Sequence, residues 1–206
     1  LIGIGAMLHD IGKLLIPTEI LQKAGRLTDE EYETMKQHAR FGFDLLRNLH
    51  SVSLLVAHCA FQHHERLDGS GYPRGLVDFE IHPFVQIIGV ADVFDAVTSN
   101  RVYRSKMLPS EGIAIIEGGS GKMFDARVVE ALKRSVIHYA NGTIIMLSDG
   151  RRGIVSKQNI HNSSHPWIRI FEEAGTLVTA TYEICLDEYP DVKIEKVETD
   201  YVTSVE

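Results

Sequence analysis

The sequence predicts a mainly α-helical domain followed by a small antiparallel β domain of barrel-like form, with the boundary near residue 140. Helix caps and apolar residues at helical spacing recur from Leu1 to about Tyr139. After Asn141-Gly142 the periodicity shortens to that of strands, and Asp149-Gly150 supplies a hairpin turn between two of them. The expected division is therefore 1–140, helical, and 141–206, β.

The opening LIGIGAML reads as part of a helix. Thr28-Asp29-Glu30-Glu31 is a capping box, in which the Thr28 hydroxyl and the Glu31 carboxylate each satisfy a free backbone N–H of the first turn. Behind it Tyr32, Met35, Ala39, Gly42, Leu46 and Leu49 form a stripe expected to face the core. Further helices are predicted over Ser51–His64, Pro83–Ser99, Ser110–Glu117 and, capped by Asp125, up to about His138. The segment Glu65–Glu80 is rich in Gly and Asp and reads as irregular. Strands are predicted over Thr143–Leu147, Gly153–Lys157, Trp167–Phe171, Leu177–Tyr182 and Val192–Val197.

Composition narrows the function classes. With 44% hydrophobic and 24% charged residues the 206-residue chain can bury a core, and its net charge of −7 argues against a DNA or RNA polymer as partner. A phosphate ester would need locally concentrated cations. Cys59 and Cys185 are far apart and lack metal-ligand spacing, which fits a reducing cytoplasm. There is no apolar run of about 20 residues, the length that spans a bilayer, and no signal-peptide pattern. A start at Leu1 inside a helix reads as a fragment of a longer protein, with a sensor domain or membrane anchor expected upstream.

Six residues among the chain's many histidines and acids carry the chemistry: His9-Asp10, His38, His63-His64 and Asp92. They combine imidazole and carboxylate without thiolate, a donor set suited to octahedral Fe, Mn, Co or Ni rather than structural zinc. Neighbouring helical residues diverge by about 100°, so each pair fans across a cluster instead of gripping one ion. A carboxylate such as Asp10 can bridge two ions, and two ions about 3.5–4 Å apart can activate water and stabilise an in-line phosphoryl displacement. Gly42, one turn after His38, leaves room for a neighbouring segment; simple helix packing is the alternative. His50, His58, His82, His138, His161 and His165 read as structural.

The string His9-Asp10-Ile11-Gly12-Lys13 resembles the HD superfamily of metal-dependent phosphohydrolases. His63-His64-Glu65-Arg66-Leu67-Asp68-Gly69-Ser70-Gly71-Tyr72-Pro73 is similar to the longer and more specific HD-GYP signature. The run from Asp92 through Asp95, Arg101 and Arg104 resembles that family's third motif. Together these cover about residues 1–135 in the family's order and imply an HD-type helical bundle.

The resemblance also implies that His9, Asp10, His38, His63, His64 and Asp92 are metal ligands for two, and with a third site three, divalent ions, Fe or Mn. Lys13 and Asp10 are the implied catalytic groups. Lys13, Tyr72, Asp95, Arg101 and Arg104 are the implied contacts to substrate, a cyclic dinucleotide. The implied reaction is hydrolysis of cyclic di-GMP to linear pGpG and, in a second round, GMP. A regulatory domain upstream, a diguanylate cyclase docked through the GYP loop and a homodimer are the implied protein partners.

Alternatives remain for individual residues. Arg101 and Arg104 also fit a solvated helix end, and Asp68–Pro73 also fits a purely structural loop with glycines at positive φ. Gln86, Val102 and Ala126 stand where the family more often has Arg, Pro and Pro. Family members often take further ligands from a helix upstream of the HD pair, which this sequence does not include. The rival functions are hydrolysis of another cyclic nucleotide and a non-catalytic module that senses the dinucleotide.

Overall fold

The computed structural model describes residues 1–99 and 107–198, so Arg101, Val102 and Arg104 lie outside the described residues. The helices are α1 (Ile2–Leu8), α2 (Thr18–Leu21), α3 (Asp29–Leu46), α4 (Leu54–Gln62), α5 (Pro83–Thr98), α6 (Pro109–Glu117) and α7 (Ala126–Ser135), with 3-10 turns at Ile11–Leu15 and Asp78–Glu80. The chain forms two compact units, Leu1–Leu132 and Lys133–Glu206.

The caps decide where the helices start. Thr28 Oγ1 accepts the Glu31 N–H at 3.3 Å while Glu31 Oε2 accepts the Thr28 N–H at 2.7 Å, the expected capping box. Ser53, not Ser51, caps α4 by accepting the Leu55 N–H, so that helix is shorter than expected at its start. The His82 imidazole caps α5 through the Phe84 N–H. Asp125 accepts the amides of Arg127 and Val128, and α7 ends at Ser135 rather than near His138.

Within the first unit, Leu46, Val56, Ala57 and Ala60 pack α3 on α4, and Cys59, Val85 and Ile88 pack α4 on α5. Val90, Ile116, Phe124 and Val129 form a third cluster between α5, α6 and α7. Side chains removed from water to this extent contribute about 1.5–3 kcal/mol each. The α3 stripe is only partly core: Ala39, Gly42 and Leu46 are buried, whereas Tyr32 is 48% exposed and Leu49 49% exposed.

The second unit is a five-stranded antiparallel sheet of β1 (Ile144–Leu147), β2 (Arg151–Lys157), β3 (Trp167–Glu173), β4 (Thr176–Cys185) and β5 (Ile194–Glu198), ordered β4-β3-β2-β1-β5. Gly150, at φ 84°, makes the β1–β2 turn that pairs Ile145 with Gly153. No ladder joins β4 to β5 among the described residues. Ile145, Leu147, Val155, Ile168, Ile170, Ile184 and Leu186 supply its buried core.

Candidate active site

The histidine pairs sit at helix ends rather than within helices. His9 closes α1 and Asp10 precedes the 3-10 turn that carries Gly12 and Lys13; His63 closes α4. The pairs do not fan apart as expected: the His63 and His64 ring centroids are 4.0 Å apart, His9 Nε2 is 3.3 Å from Asp10 Oδ2, and each pair falls within one donor group. His38 projects from the middle of α3 and Asp92 from α5.

Gly12 explains how His38 meets the HD pair. A Cβ on Gly12 would lie 1.9 Å from the His38 carbonyl oxygen and 2.4 Å from the Gly42 nitrogen, so only glycine lets the turn rest on α3. Gly42 contributes less, since a Cβ there meets Ala60 Cβ at 3.2 Å and the Gly12 nitrogen at 3.4 Å.

The six residues converge as two overlapping groups that share Asp10. Asp10, His38, His63 and His64 make one, and His9, Asp10 and Asp92 the other; within each, the donor atoms lie within 4.8 Å of one another. The two oxygens of Asp10 divide between them. Oδ1 is 3.4 Å from His38 Nε2 and 3.7 Å from His63 Nε2, while Oδ2 is 3.3 Å from His9 Nε2 and 2.5 Å from Lys13 Nζ. Asp92 lies 3.6 Å from His9 Nε2 and 3.9 Å from His64 Nδ1.

Backbone carbonyls aim the imidazoles. Nδ1 of His9, His38 and His63 donates to the carbonyls of Ala6, Met35 and Ala60 at 2.6, 2.6 and 2.9 Å. In a neutral ring this leaves the lone pair on Nε2, pointing inward, as second-shell partners do for metal-bound histidine. The Nε2 atoms of His38 and His63 are then 3.3 Å apart, and those of His38 and His64 3.2 Å. Lone pairs at that spacing repel unless a proton or a cation lies between them.

The electrostatics fit a cation. Burial, reinforced by the neighbouring histidines, drives His64 down to about 2, and burial also lowers His38, so both stay in the neutral form that ligates metal. Burial opposes charge on His9 too, but the Asp10 and Asp92 carboxylates outweigh it and raise His9 to about 10, calling for positive charge at Nε2. Burial works against ionisation of Asp10 as well; the facing His63, His9 and Lys13 overcome it and keep its carboxyl far below the usual carboxylate range. His9 Nε2 and Asp10 Oδ1 are buried without a hydrogen-bond partner. A divalent cation satisfies both atoms and separates the facing lone pairs, so the residues present fit a metal.

Two cavities adjoin the cluster. One, about 390 Å³, lies between α1 and α5 and is lined by Ile2, Ala6 and Ile88 beside His9, Asp10, Asp92 and Asp95. Its walls hold the Asp10, Asp92 and Asp95 carboxylates and no lysine or arginine, which disfavours an anion. The other, about 380 Å³, is lined by Lys13, Lys23, Tyr32, His38, His64, Tyr72 and Asp92 among others, and carries cations. Asp95 and Tyr72 therefore face different cavities. Asp95 accepts a hydrogen bond from the Ser99 hydroxyl at 2.8 Å.

The GYP loop is built around a residue that the sequence reading left without a role. Glu65 is buried, and its two oxygens accept the amides of Arg74 and Leu76 at 2.8 and 2.9 Å. This folds the loop back so that Tyr72 stacks on His64, with ring centroids 4.6 Å apart; the Tyr72-Pro73 peptide is cis. Gly69 has the expected positive φ, but Gly71 does not: a Cβ there would lie 2.4 Å from the His64 carbonyl, so Gly71 is required for close approach. Arg66 donates to the carbonyls of His63 and Glu65 and lies over Phe124. Gln86, in place of the family's usual Arg, donates to the Ile81 carbonyl away from the cluster, and His58 packs on Phe43.

This arrangement defines the class. The HD domain family model matches residues 2–128, and the chain belongs to that family, with the HD-GYP motif set of one of its branches. Membership implies divalent metal binding, for which the His/Asp groups are a possible site.

Among similar proteins, a cyclic di-GMP phosphodiesterase of Pseudomonas aeruginosa is 35% identical over 182 residues, 88% of this chain and 44% of that protein. A cyclic di-GMP phosphodiesterase of Thermotoga maritima is 50% identical over 63% of this chain and 36% of its own length. A 3'3'-cGAMP-specific phosphodiesterase of Vibrio cholerae is 40% identical over 64% of this chain and 28% of its own. The chain thus spans less than half the length of these relatives. The fold is like that of an HDG"Y"P protein from Bdellovibrio bacteriovorus, with a TM-score of 0.51 and 20% identity over 62% of this chain and 40% of that one. No helix among the described residues is long and apolar enough to cross a membrane.

Proposed function

We propose that this chain is the catalytic part of a metal-dependent phosphodiesterase that hydrolyses cyclic di-GMP in bacterial signalling. The observation that carries the reading is the sharing of Asp10 between two donor groups beside a cationic cavity. A relative named as a cyclic di-GMP phosphodiesterase is 50% identical over 63% of this chain. Two divalent ions, Fe or Mn by donor chemistry, would be held by His9, Asp10, His38, His63, His64 and Asp92. Bound ions would supply Lewis-acid activation of water and neutralise charge developing at phosphorus.

The chain's own groups do the rest. Lys13, held at 2.5 Å by Asp10, stands at the mouth of the cluster and binds a non-bridging phosphate oxygen, so its charge adds to transition-state stabilisation. Tyr72, stacked on His64, limits water access and fixes that imidazole. Arg101 and Arg104 are assigned to the second phosphate or a guanine edge by motif alone, and Asp95 to the site's margin. The division of the chain near residue 140, a cytoplasmic location, an upstream regulatory domain, a cyclase partner and a homodimer belong to the same proposal.

The similarity to cGAMP-specific enzymes favours one second reading, in which a mixed cyclic dinucleotide is the better substrate. Chromatography of both dinucleotides incubated with the metal-reconstituted protein, together with metal analysis, tests the proposal. Conversion of cyclic di-GMP to pGpG or GMP with about two ions per chain supports it. Metal binding without hydrolysis of either dinucleotide overturns it in favour of a sensing module.

A further inference from the structure

Tyr32 stands out because it is an aromatic residue on the core-facing stripe of α3 that is nevertheless half exposed. It lines the cationic cavity together with Met35 and His38, three and six residues further along the same helix. Helical spacing carries that line of side chains from Tyr32 to the donor cluster in under two turns. The cavity that Tyr32 lines is walled both by His38, His64, Asp92 and Lys13 of the cluster region and by the apolar Ile20, Leu21 and Leu27.

Tyr72 does not offer the same opportunity. His64 stacks on it at 4.6 Å, Lys36 Nζ stands 5.7 Å from its ring centre and the Tyr32 ring meets it edge-on at 6.4 Å. Tyr32, 48% exposed, has Lys36 Nζ 5.3 Å from its ring centre, an ammonium paired with Glu33 at 2.5 Å.

A second part of the lining is tethered by an ion pair. Lys23 Nζ bonds both oxygens of Glu31, at 2.8 and 2.5 Å, and Glu31 in turn accepts the Thr28 amide. The segment that bears Leu21, Gly25 and Leu27 is thereby tied to the first turn of α3. A cavity of about 380 Å³ is at the small end of ligand clefts and suits one nucleotide half of a larger substrate.

We infer that Tyr32 is a base-binding residue: the nucleobase next to the phosphate held at the His/Asp cluster stacks on its ring, walled by Ile20, Leu21 and Leu27. The inference rests on the proposed phosphodiesterase reading for the placement of the phosphate. It assigns the cavity's apolar lining to a planar base, whatever the second half of the dinucleotide contacts.

The test separates base from phosphate. Calorimetric titration of the metal-loaded chain with GMP and with ribose 5-phosphate measures binding with and without the base, in wild type, Tyr32→Leu and Tyr32→Trp. Aromatic stacking of a base predicts that Tyr32→Leu weakens GMP binding by about tenfold or more, leaves ribose 5-phosphate unchanged, and that Tyr32→Trp restores GMP. Unchanged GMP affinity in Tyr32→Leu, or an equal loss for both ligands, overturns the inference. Turnover of cyclic di-GMP by wild type, assayed in parallel, reports on the phosphodiesterase reading separately: hydrolysis with unchanged GMP affinity in Tyr32→Leu removes only the role of Tyr32.

Discussion

Gly12 rests on the backbone of His38 so closely that a methyl group added to Gly12 would lie 1.9 Å from the His38 carbonyl oxygen. The HD turn and the middle of α3 are therefore fixed against each other by backbone contact, and the distance from Asp10 to His38 follows from it. Gly12→Ala must push the two apart. The expected result is a loss of about 3 kcal/mol or more, at the upper end for overpacking, with reduced metal content. Gly42→Ala, whose added methyl group meets a side-chain carbon at 3.2 Å, should cost clearly less. Urea melts of both variants check the order.

Asp10 and Asp92 should differ in what their removal does to metal. Asp10 belongs to both donor groups and Asp92 to one. Asp10→Ala is expected to strip most of the metal and abolish turnover, whereas Asp92→Ala should retain a fraction bound through His38, His63 and His64. Metal analysis after dialysis distinguishes the two. Equal, full occupancy in both variants would contradict the assigned ligands.

Removal of metal should lower stability as well as activity. Chelation returns His9 Nε2 and Asp10 Oδ1 to a buried state without partners, and a ligand at 100 times its Kd stabilises the native state by about 2.7 kcal/mol. Thermal melts should therefore shift down on chelation. Mn²⁺ or Fe²⁺ should restore the melting temperature better than Mg²⁺, because imidazole suits the transition metals.

Lys13→Ala tests the phosphate contact. Charge-assisted hydrogen bonds contribute about 1.5–3 kcal/mol, so kcat/KM should fall by roughly ten- to a hundredfold while metal content stays near wild type. A fall in metal content of the same size would recast Lys13 as support for Asp10, to which it is bonded.

Glu65→Gln addresses the loop. Its carboxylate accepts two backbone amides, and a glutamine can accept only with its carbonyl oxygen, leaving an NH₂ group facing an N–H. A loss of about 2 kcal/mol is expected, together with a raised KM as Tyr72 loses its fixed place on His64. Retained stability with unchanged KM would show that the loop holds without this anchor.

The helical elements and the six donor residues were legible because caps, periodicity and motif strings are local in sequence. Thr28 and Glu31 announce a helix start wherever they occur at that spacing, and His63-His64 carry their motif with them. Periodicity could not tell that Tyr32 turns to a cavity and Ala39 to the core, since both sit on one helical stripe and differ only in what lies opposite. Nor could it find Glu65, whose partners Arg74 and Leu76 become neighbours only when the loop returns. Gly71 shows the same limit: its spacing suggests a turn, while the actual constraint is the His64 carbonyl beneath it.

Glu31 joins two tasks in one carboxylate, accepting the Thr28 amide that starts α3 and gripping the Lys23 ammonium that ties down the cavity wall. Helix initiation and the tether on the Lys23 segment thus share one carboxylate. When the first turn of α3 frays, the same opening releases the segment around Lys23, so the amide of Glu31 should exchange with solvent in step with access to the cavity. A ligand that fills the cavity should slow that exchange, which would make an ordinary helix start a place at which to watch occupancy.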